Sequence, residues 1–458
     1  MKTGRALSRR DFLLATGRRS LAIGVGLTLP NLFLNRTRAA TGQNPSEFIR
    51  VGFIGVGGQG NSNVRAMMKH AVAVCDVDQN HLAAARQTVE KATGRPCAAF
   101  GDYRKLLEDK GIDAVCISTP DHWHTLPAVH ACEAGKDVYC EKPLTLTIRE
   151  GQVLRSVARR TGRIVQTGSQ QRSDAKFLKA AEYVRNGRLG KIKRVLVGLT
   201  GVNYAERAKP LRVPDSDPPP ELDYDFWLGP APWRPYNKNR VHYLFRFFWD
   251  YSGGQMTNWG AHHLDIAQWA LGMDDSGPVQ IEGRGEFDSE HLFETPVKFS
   301  ITYRYANGVV VECRSPRSLV SELLPDHAAQ ARELLDGKDA FTGCIFEGEK
   351  GLLYVNRGVV RVWPEAIFDE PIRDDEQRLY ASKDHHQNWL DCIKSRKLPI
   401  CDVAIGHRSA TVCHLGNIAV RTGKTVRWDP AREEIVGDAE LARWVDKPYR
   451  APWKLPAV

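Results

Sequence analysis

An apolar run, Phe48–Ile54, ends directly on Gly55-Val56-Gly57-Gly58-Gln59-Gly60, and this G-x-G-x-x-G opens a helix-forming stretch. No other feature constrains the fold as strongly. The glycines permit a tight turn and let backbone amides approach a pyrophosphate at the positive end of the helix. A second strand candidate, Ala71–Cys75, runs into Asp76, 21 residues beyond Gly55. That spacing suits a carboxylate bonded to ribose hydroxyls. An acid there repels a 2′-phosphate and no arginine follows at once, so NAD is favoured over NADP. Gly55, Gly57, Gly58, Gln59, Gly60 and Asp76 are the first cofactor contacts read from the chain.

Strand candidates continue at Ala114–Ser118, Asp137–Cys140 and Ile164–Thr167. Helical spacing lies between them at 81–93, 103–110, 124–134 and 147–160. Such alternation predicts a doubly wound parallel sheet with helices on both faces. Beyond residue 170 the pattern changes. A helix at 176–186 and a strand at 191–200 precede a proline-rich loop at 209–220. A helix at about 256–271 follows, and then strand candidates at 279–286, 297–305, 308–314, 344–349, 352–355 and 359–362. These predict an α+β domain with an open, mostly antiparallel sheet, interrupted by a helix-forming insertion at 318–340. Helices at 385–395 and 403–421 close it. The division expected is a signal segment at 1–40, a dinucleotide-binding Rossmann domain at 48–170, a substrate-binding α/β domain at 171–430 and a tail at 431–458.

The formal charge of +10 over 458 residues does not imply a nucleic-acid partner, because the first forty residues hold +7 of it and the body only +3. Ser8-Arg9-Arg10-Asp11-Phe12-Leu13 matches the twin-arginine pattern, and a Gly-rich apolar run, 21–34, and the small pair Ala39-Ala40 follow. This predicts a folded protein that is periplasmic or otherwise exported through the twin-arginine pathway, with no membrane association beyond an uncleaved signal. That route suits a protein loaded with its cofactor before export. None of the ten cysteines forms a C-x-x-C pair, which leaves zinc ribbons and iron–sulfur clusters unsupported and predicts buried thiols.

Two further strand ends carry polar clusters, Ser118-Thr119-Pro120-Asp121-His122-Trp123-His124 and Cys140-Glu141-Lys142-Pro143. Ligands of open parallel sheets bind at the carboxyl ends of strands. Ser118, Thr119, Pro120, His124, Glu141 and Lys142 are therefore placed beside the cofactor. A His-x-His pair without an acidic or thiol companion does not predict a metal, and none is expected.

The glycine motif, Glu141-Lys142-Pro143 and the run from Gly253-Gly254-Gln255 through Asn258, His262 and His263 to Asp265 together resemble the Gfo/Idh/MocA family. That family is named for glucose–fructose oxidoreductase, inositol dehydrogenase and a rhizopine-catabolism protein. The resemblance spans about residues 48–430. It implies a Rossmann domain joined to an open-sheet domain whose sheet often forms a subunit interface, hence a homodimer or homotetramer. It also implies roles: Lys142 lies beside the nicotinamide and the reacting carbon, and His262 exchanges the substrate proton. The family's aspartate, four residues before that histidine, is Asn258 here. An amide neither takes a proton nor carries charge, so His262 is predicted to be the weaker base, with Lys142, His262 and Asn258 as the catalytic group.

Aromatic density from Phe226 to Trp249 suits the apolar faces of sugar rings. Substrate contacts are expected from Lys142, Arg172, Trp249, His262 and His263. Three functions fit: an NAD-dependent oxidoreductase acting on a sugar or polyol, a redox-neutral NAD-dependent glycosidase or lyase that oxidises its substrate transiently, and a sugar-binding relative without turnover.

Overall fold

A computed structural model of the chain describes residues 48–201, 212–288 and 292–457. The twin-arginine segment lies outside them.

Six short strands build the first sheet: β1 (Val51–Ile54), β2 (Ala71–Cys75), β3 (Ala98–Phe100), β4 (Ala114–Ile117), β5 (Asp137–Cys140) and β6 (Val165–Thr167). Their order is β3-β2-β1-β4-β5-β6, all parallel. β1, β4 and β5 are buried at every position. Helices cover both faces of a parallel sheet, which is why these strands read as unbroken apolar runs. The order reverses between β1 and β4, and the crevice at that switch point opens beyond their carboxyl ends. Sequence-local signals set the helix ends. Asp78 caps Gln79–Thr93, and Thr147 with Glu150 forms a capping box for Ile148–Thr161, which ends on left-handed Gly162.

The second sheet is mixed and has nine strands. They are β7 (Ile192–Gly198), β8 (Gln280–Glu286), β9 (Lys298–Arg304), β10 (Val310–Ser315), β13 (Gly343–Gly348), β14 (Leu352–Val355), β15 (Val360–Trp363), β16 (Val426–Asp429) and β17 (Glu434–Ile435), with β11 (Ser318–Leu319) and β12 (Ala340–Phe341) forming a separate pair. Their order is β15-β14-β13-β7-β10-β9-β8-β16-β17, and only β7 and β10 run parallel. Helices Ala175–Arg185, Gly260–Leu271 and Val403–Thr422 pack on one face and share its core with residues such as Phe177, Leu264, Ile301, Phe346 and Leu415. The insertion packs on the other face through Val320, Leu323 and Leu334 against Leu196 and Ile345.

Several expectations shift. The helix expected over 256–271 is two, Gln255–Asn258 and Gly260–Leu271, joined at Trp259. β3 escaped a pattern search because it is three residues long and only half-buried at best. β16 and β17 lie beyond the last expected strand, so residues 434–435 are sheet. Near the C-terminus, Trp453 packs edge-on against Trp123, 4.8 Å between ring centroids. All ten cysteines are free and buried. No helix among the described residues is long and apolar enough to cross a membrane.

Candidate active site

A cleft of about 890 Å³ runs from the glycine turn to the start of helix Gly260–Leu271. At one end, β1 delivers Gly55 in a left-handed conformation, φ +78°, where a Cβ would lie 2.8 Å from the Thr119 amide nitrogen. A Cβ on Gly60 would sit 1.9 Å from the Gly55 carbonyl oxygen. Gly60 is therefore packed inside the turn and does not line the cleft. Its role is to let helix α1 (Gly58–Ala66) close onto the strand. No side chain caps α1, so its first amides are free to meet an anion. Asp76 accepts from the Val56 amide (2.8 Å) and the Asp78 amide (3.0 Å). Burial raises its pKa and these two bonds work against that rise. The uncapped helix, the glycine turn and the carboxylate at the β2 end match a dinucleotide in shape and charge. The Thr119 hydroxyl, buried in the cleft wall without a partner, is a further polar group for it to meet.

A segment of the second domain crosses this end. The Gln79 amide donates to the Glu221 carbonyl (2.9 Å) and the Asp223 amide to the Val77 carbonyl (3.0 Å). His242 Nε2 meets Asp78 Oδ2 at 3.0 Å, and its ring lies 4.5 Å from that of His81. Asp78, His81 and His242 place their ligand atoms within 4.8 Å of one another. Asp78 Oδ1 is already taken by the amides of Asn80 and His81, so the trio reads as a latch over the groove. Nothing local in the chain pairs residues 78 and 242.

Midway along, Glu141 gathers three amide donors: Asn63 Nδ2 (3.0 Å), Gln170 Nε2 (3.1 Å) and Gln59 Nε2 (3.3 Å). Asn63 also donates to Ser118 Oγ (2.9 Å). His124 spans the Pro143 carbonyl (2.8 Å) and the Thr119 carbonyl (3.0 Å). These bonds fix the β4 and β5 ends relative to each other. Glu141 and His124 are placed to position the loops around the cleft.

At the far end, Lys142 Nζ donates to Asn258 Oδ1 at 3.0 Å. The Asn258 amide is oriented from behind, since its Nδ2 donates to Gln255 Oε1 (3.1 Å) while Gln255 Nε2 is held by Thr200. Burial, and then repulsion from Arg246, lowers the Lys142 pKa to about 8, against the attraction of Glu141 and Asp121. His262 also lines the cleft, and its Nδ1 has no partner. Burial pushes its pKa well below the ordinary value, with further lowering by Lys142, Arg357 and His263. No carboxylate opposes that push, so the imidazole is neutral at pH 7. Gln171, with its nitrogen donating to the His262 carbonyl (3.0 Å), accepts from Arg357 Nε (3.2 Å). Arg357 in turn lies over the Trp259 ring at 4.6 Å.

Three residues expected at the substrate stand elsewhere. Arg172 is 1% exposed and chelated by Asp265 and Asp274. It joins the 170–173 turn to helix Gly260–Leu271 and does not reach the cleft. Trp249 packs under Arg421 (4.2 Å) and Lys447 (3.9 Å), outside the lining. His263 is buried behind Trp259, its ring stacked at 5.6 Å. In their place the cleft holds Arg246, Asp121, His81 and Arg357. Arg357 comes from the β14–β15 hairpin, where Asn356 Oδ1 accepts from the Gly358 and Val359 amides and shapes the turn that presents it.

Residues 49–169 match the model of an oxidoreductase family's NAD-binding Rossmann fold, and 174–315 with 331–455 match the same family's C-terminal alpha/beta domain. The chain belongs to the Gfo/Idh/MocA oxidoreductase family. Among curated relatives, the α-N-acetylgalactosaminidase of Shewanella oneidensis is 34% identical over 176 residues, covering 34% of this chain and 38% of that protein. An uncharacterized oxidoreductase of Rhizobium meliloti is 34% identical over 133 residues, covering 29% of this chain and again 38% of the relative. The chain thus aligns with well under half the length of these relatives. Solved Gfo/Idh/MocA folds align far more completely. The WlbA dehydrogenase of Bordetella pertussis, in complex with NADH and UDP-GlcNAcA, has TM-score 0.58 at 17% identity, covering 83% of this chain and 99% of that one. The myo-inositol 2-dehydrogenase of Lactobacillus plantarum has TM-score 0.56 at 18% identity, with the same coverage.

Proposed function

We propose that this Gfo/Idh/MocA member transfers hydride between a secondary alcohol of a sugar or polyol and a bound nicotinamide cofactor, NAD in preference to NADP. The observation that carries this reading is the facing of Lys142, Asn258 and neutral His262 in the same cleft as the Asp76 cradle. When bound, the cofactor supplies the hydride acceptor. His262, uncharged, is fit to take the hydroxyl proton as the C–H bond yields its hydride. Lys142 is mostly protonated at pH 7 with a pKa of about 8. It donates to the same oxygen and stabilises the negative charge that develops there. Asn258 holds the ammonium on line without lending it charge.

The twin-arginine motif supports export to the periplasm or otherwise out of the cytoplasm, where free NAD is scarce. The latch formed by Asp78 and His242 supports a cofactor that is retained and recycled in the site. Assembly as a homodimer or homotetramer belongs to the same reading.

A redox-neutral glycosidase reaction is the second reading, and the α-N-acetylgalactosaminidase relative favours it. Oxidising a ring hydroxyl acidifies the neighbouring C–H, elimination releases the aglycone, water adds to the unsaturated ketone that remains, and the hydride returns to the carbonyl to give the free sugar. Purified protein incubated with aryl glycosides and, separately, with free sugars and polyols distinguishes the two. Aglycone release without net NADH supports the glycosidase; NADH accumulation with free sugars supports the dehydrogenase. A chain that binds sugars but gives neither product is a binding protein.

A further inference from the structure

Several arginines in this chain are matched by acids. Arg172 meets Asp265 and Asp274, Arg155 meets Glu433, Arg159 meets Asp402 and Arg188 meets Glu376. The two arginines lining the cleft, half-buried Arg246 and exposed Arg357, are not matched in this way. Arg246 donates to the Tyr243 carbonyl (2.8 Å) and lies over the rings of Tyr243 (4.5 Å) and Phe245 (4.6 Å). Arg357 rests on Trp259 and donates to the Gln171 oxygen. Neither has a carboxylate within ion-pair distance among the described residues.

The acids nearby, Asp121 and Glu141, attract Lys142 but form no ion pair with either arginine. Asp121 accepts from Ser252 Oγ (2.5 Å), and Glu141 is held by three amides. Arg246 and Arg357 both repel Lys142, and Arg357 also disfavours charge on His262. Three cations thus converge on one end of the cleft, two of them platformed on aromatic faces with one nitrogen each bonded to a neutral oxygen. Such an arrangement is unfavourable when empty and complementary to an anion.

We propose that the substrate carries a negatively charged substituent, a carboxylate or a phosphate, held by Arg246 and Arg357 beside the reacting hydroxyl. The inference deepens the sugar-oxidoreductase reading and rests on its placement of the substrate at Lys142. An anion there has a consequence for catalysis. It offsets the positive field on His262 and supplies part of the charge that an aspartate at position 258 would have provided.

Calorimetric titration of the full, cofactor-loaded chain tests this without requiring turnover. The probes are glucuronate and galacturonate, the corresponding sugar phosphates, and the parent glucose and galactose. At least one acidic probe is expected to bind about tenfold or more tightly than its neutral parent, and more weakly as salt rises. R357Q and R246Q are each expected to weaken that binding about 10- to 100-fold while leaving the neutral parent unaffected. Preference for a uronate identifies a carboxylate, and preference for a sugar phosphate identifies a phosphate. Equal binding of acidic and neutral probes, or no binding of any acidic probe, overturns the inference. So does loss of the cofactor from R246Q, which would assign that arginine to the pyrophosphate. Failure of the redox reading looks different: tight binding of an acidic probe that never reduces the bound cofactor.

Discussion

Replacing Asn258 by Asp puts a carboxylate where the amide oxygen now stands, 3.0 Å from Lys142 Nζ. At an effective dielectric of about 20, two unit charges at that separation attract by roughly 5 kcal/mol. Burying the new carboxylate opposes this by several kcal/mol. The net expectation is a rise in the Lys142 pKa of about 1–3 units from its present value. The protonated lysine is the active form, so activity is lost as pH climbs through its pKa. The parent should therefore decline above pH 8 or so, given a Lys142 pKa of about 8, and N258D should hold its activity to higher pH. His262 also gains a compensating charge nearby and becomes a better base, with a gain of about tenfold expected at neutral pH. The assay is the rate of reduction of the bound cofactor against pH, using any substrate that supports turnover. An alkaline limb that stays in place, with an unchanged neutral rate, would refute the assigned roles of Lys142 and Asn258.

K142A should lower turnover by about 10²- to 10⁴-fold while cofactor content stays at the parent level, measured by nucleotide assay of the unfolded protein. R172A removes the buried partner of Asp265 and should destabilise the fold by about 3–5 kcal/mol, read as a lowered denaturation midpoint; an unchanged midpoint would contradict the structural role given to that ion pair. H242A breaks the latch to Asp78. A partly exposed pair of this kind contributes up to about 1 kcal/mol, so cofactor release should accelerate about two- to fivefold in a dilution experiment, with little change in thermal stability.

What the chain reveals without its structure depends on how local the chemistry is. The glycine turn and Asp76 lie within one strand–helix–strand unit, so spacing alone locates them. Asn258 is legible as a departure from a pattern, whereas the low basicity of His262 is set first by its burial and then by Lys142, Arg357 and His263, which only the fold brings together. Arg172 misled because Gln170 and Gln171 beside it do line the cleft. The tight 170–173 turn sends its side chain inward to two acids that lie 93 and 102 residues away. Arg357 offers no local signal at all: a lone arginine in an Asn-Arg-Gly hairpin acquires meaning only when the nine-stranded sheet brings that hairpin to Trp259. Strand β3 and the β16–β17 pair were missed for a related reason. They are short, and they are stabilised by the sheets they join more than by their own composition.

The central claim is a nicotinamide nucleotide seated between Asp76 and Lys142. The most direct measurement is to purify the full chain from its native host or a cytoplasmic expression strain, denature it, and assay the supernatant for nicotinamide nucleotides. The account predicts NAD approaching one equivalent per chain, with little NADP. A supernatant free of both, from a protein that also fails to take up added NAD, would contradict it.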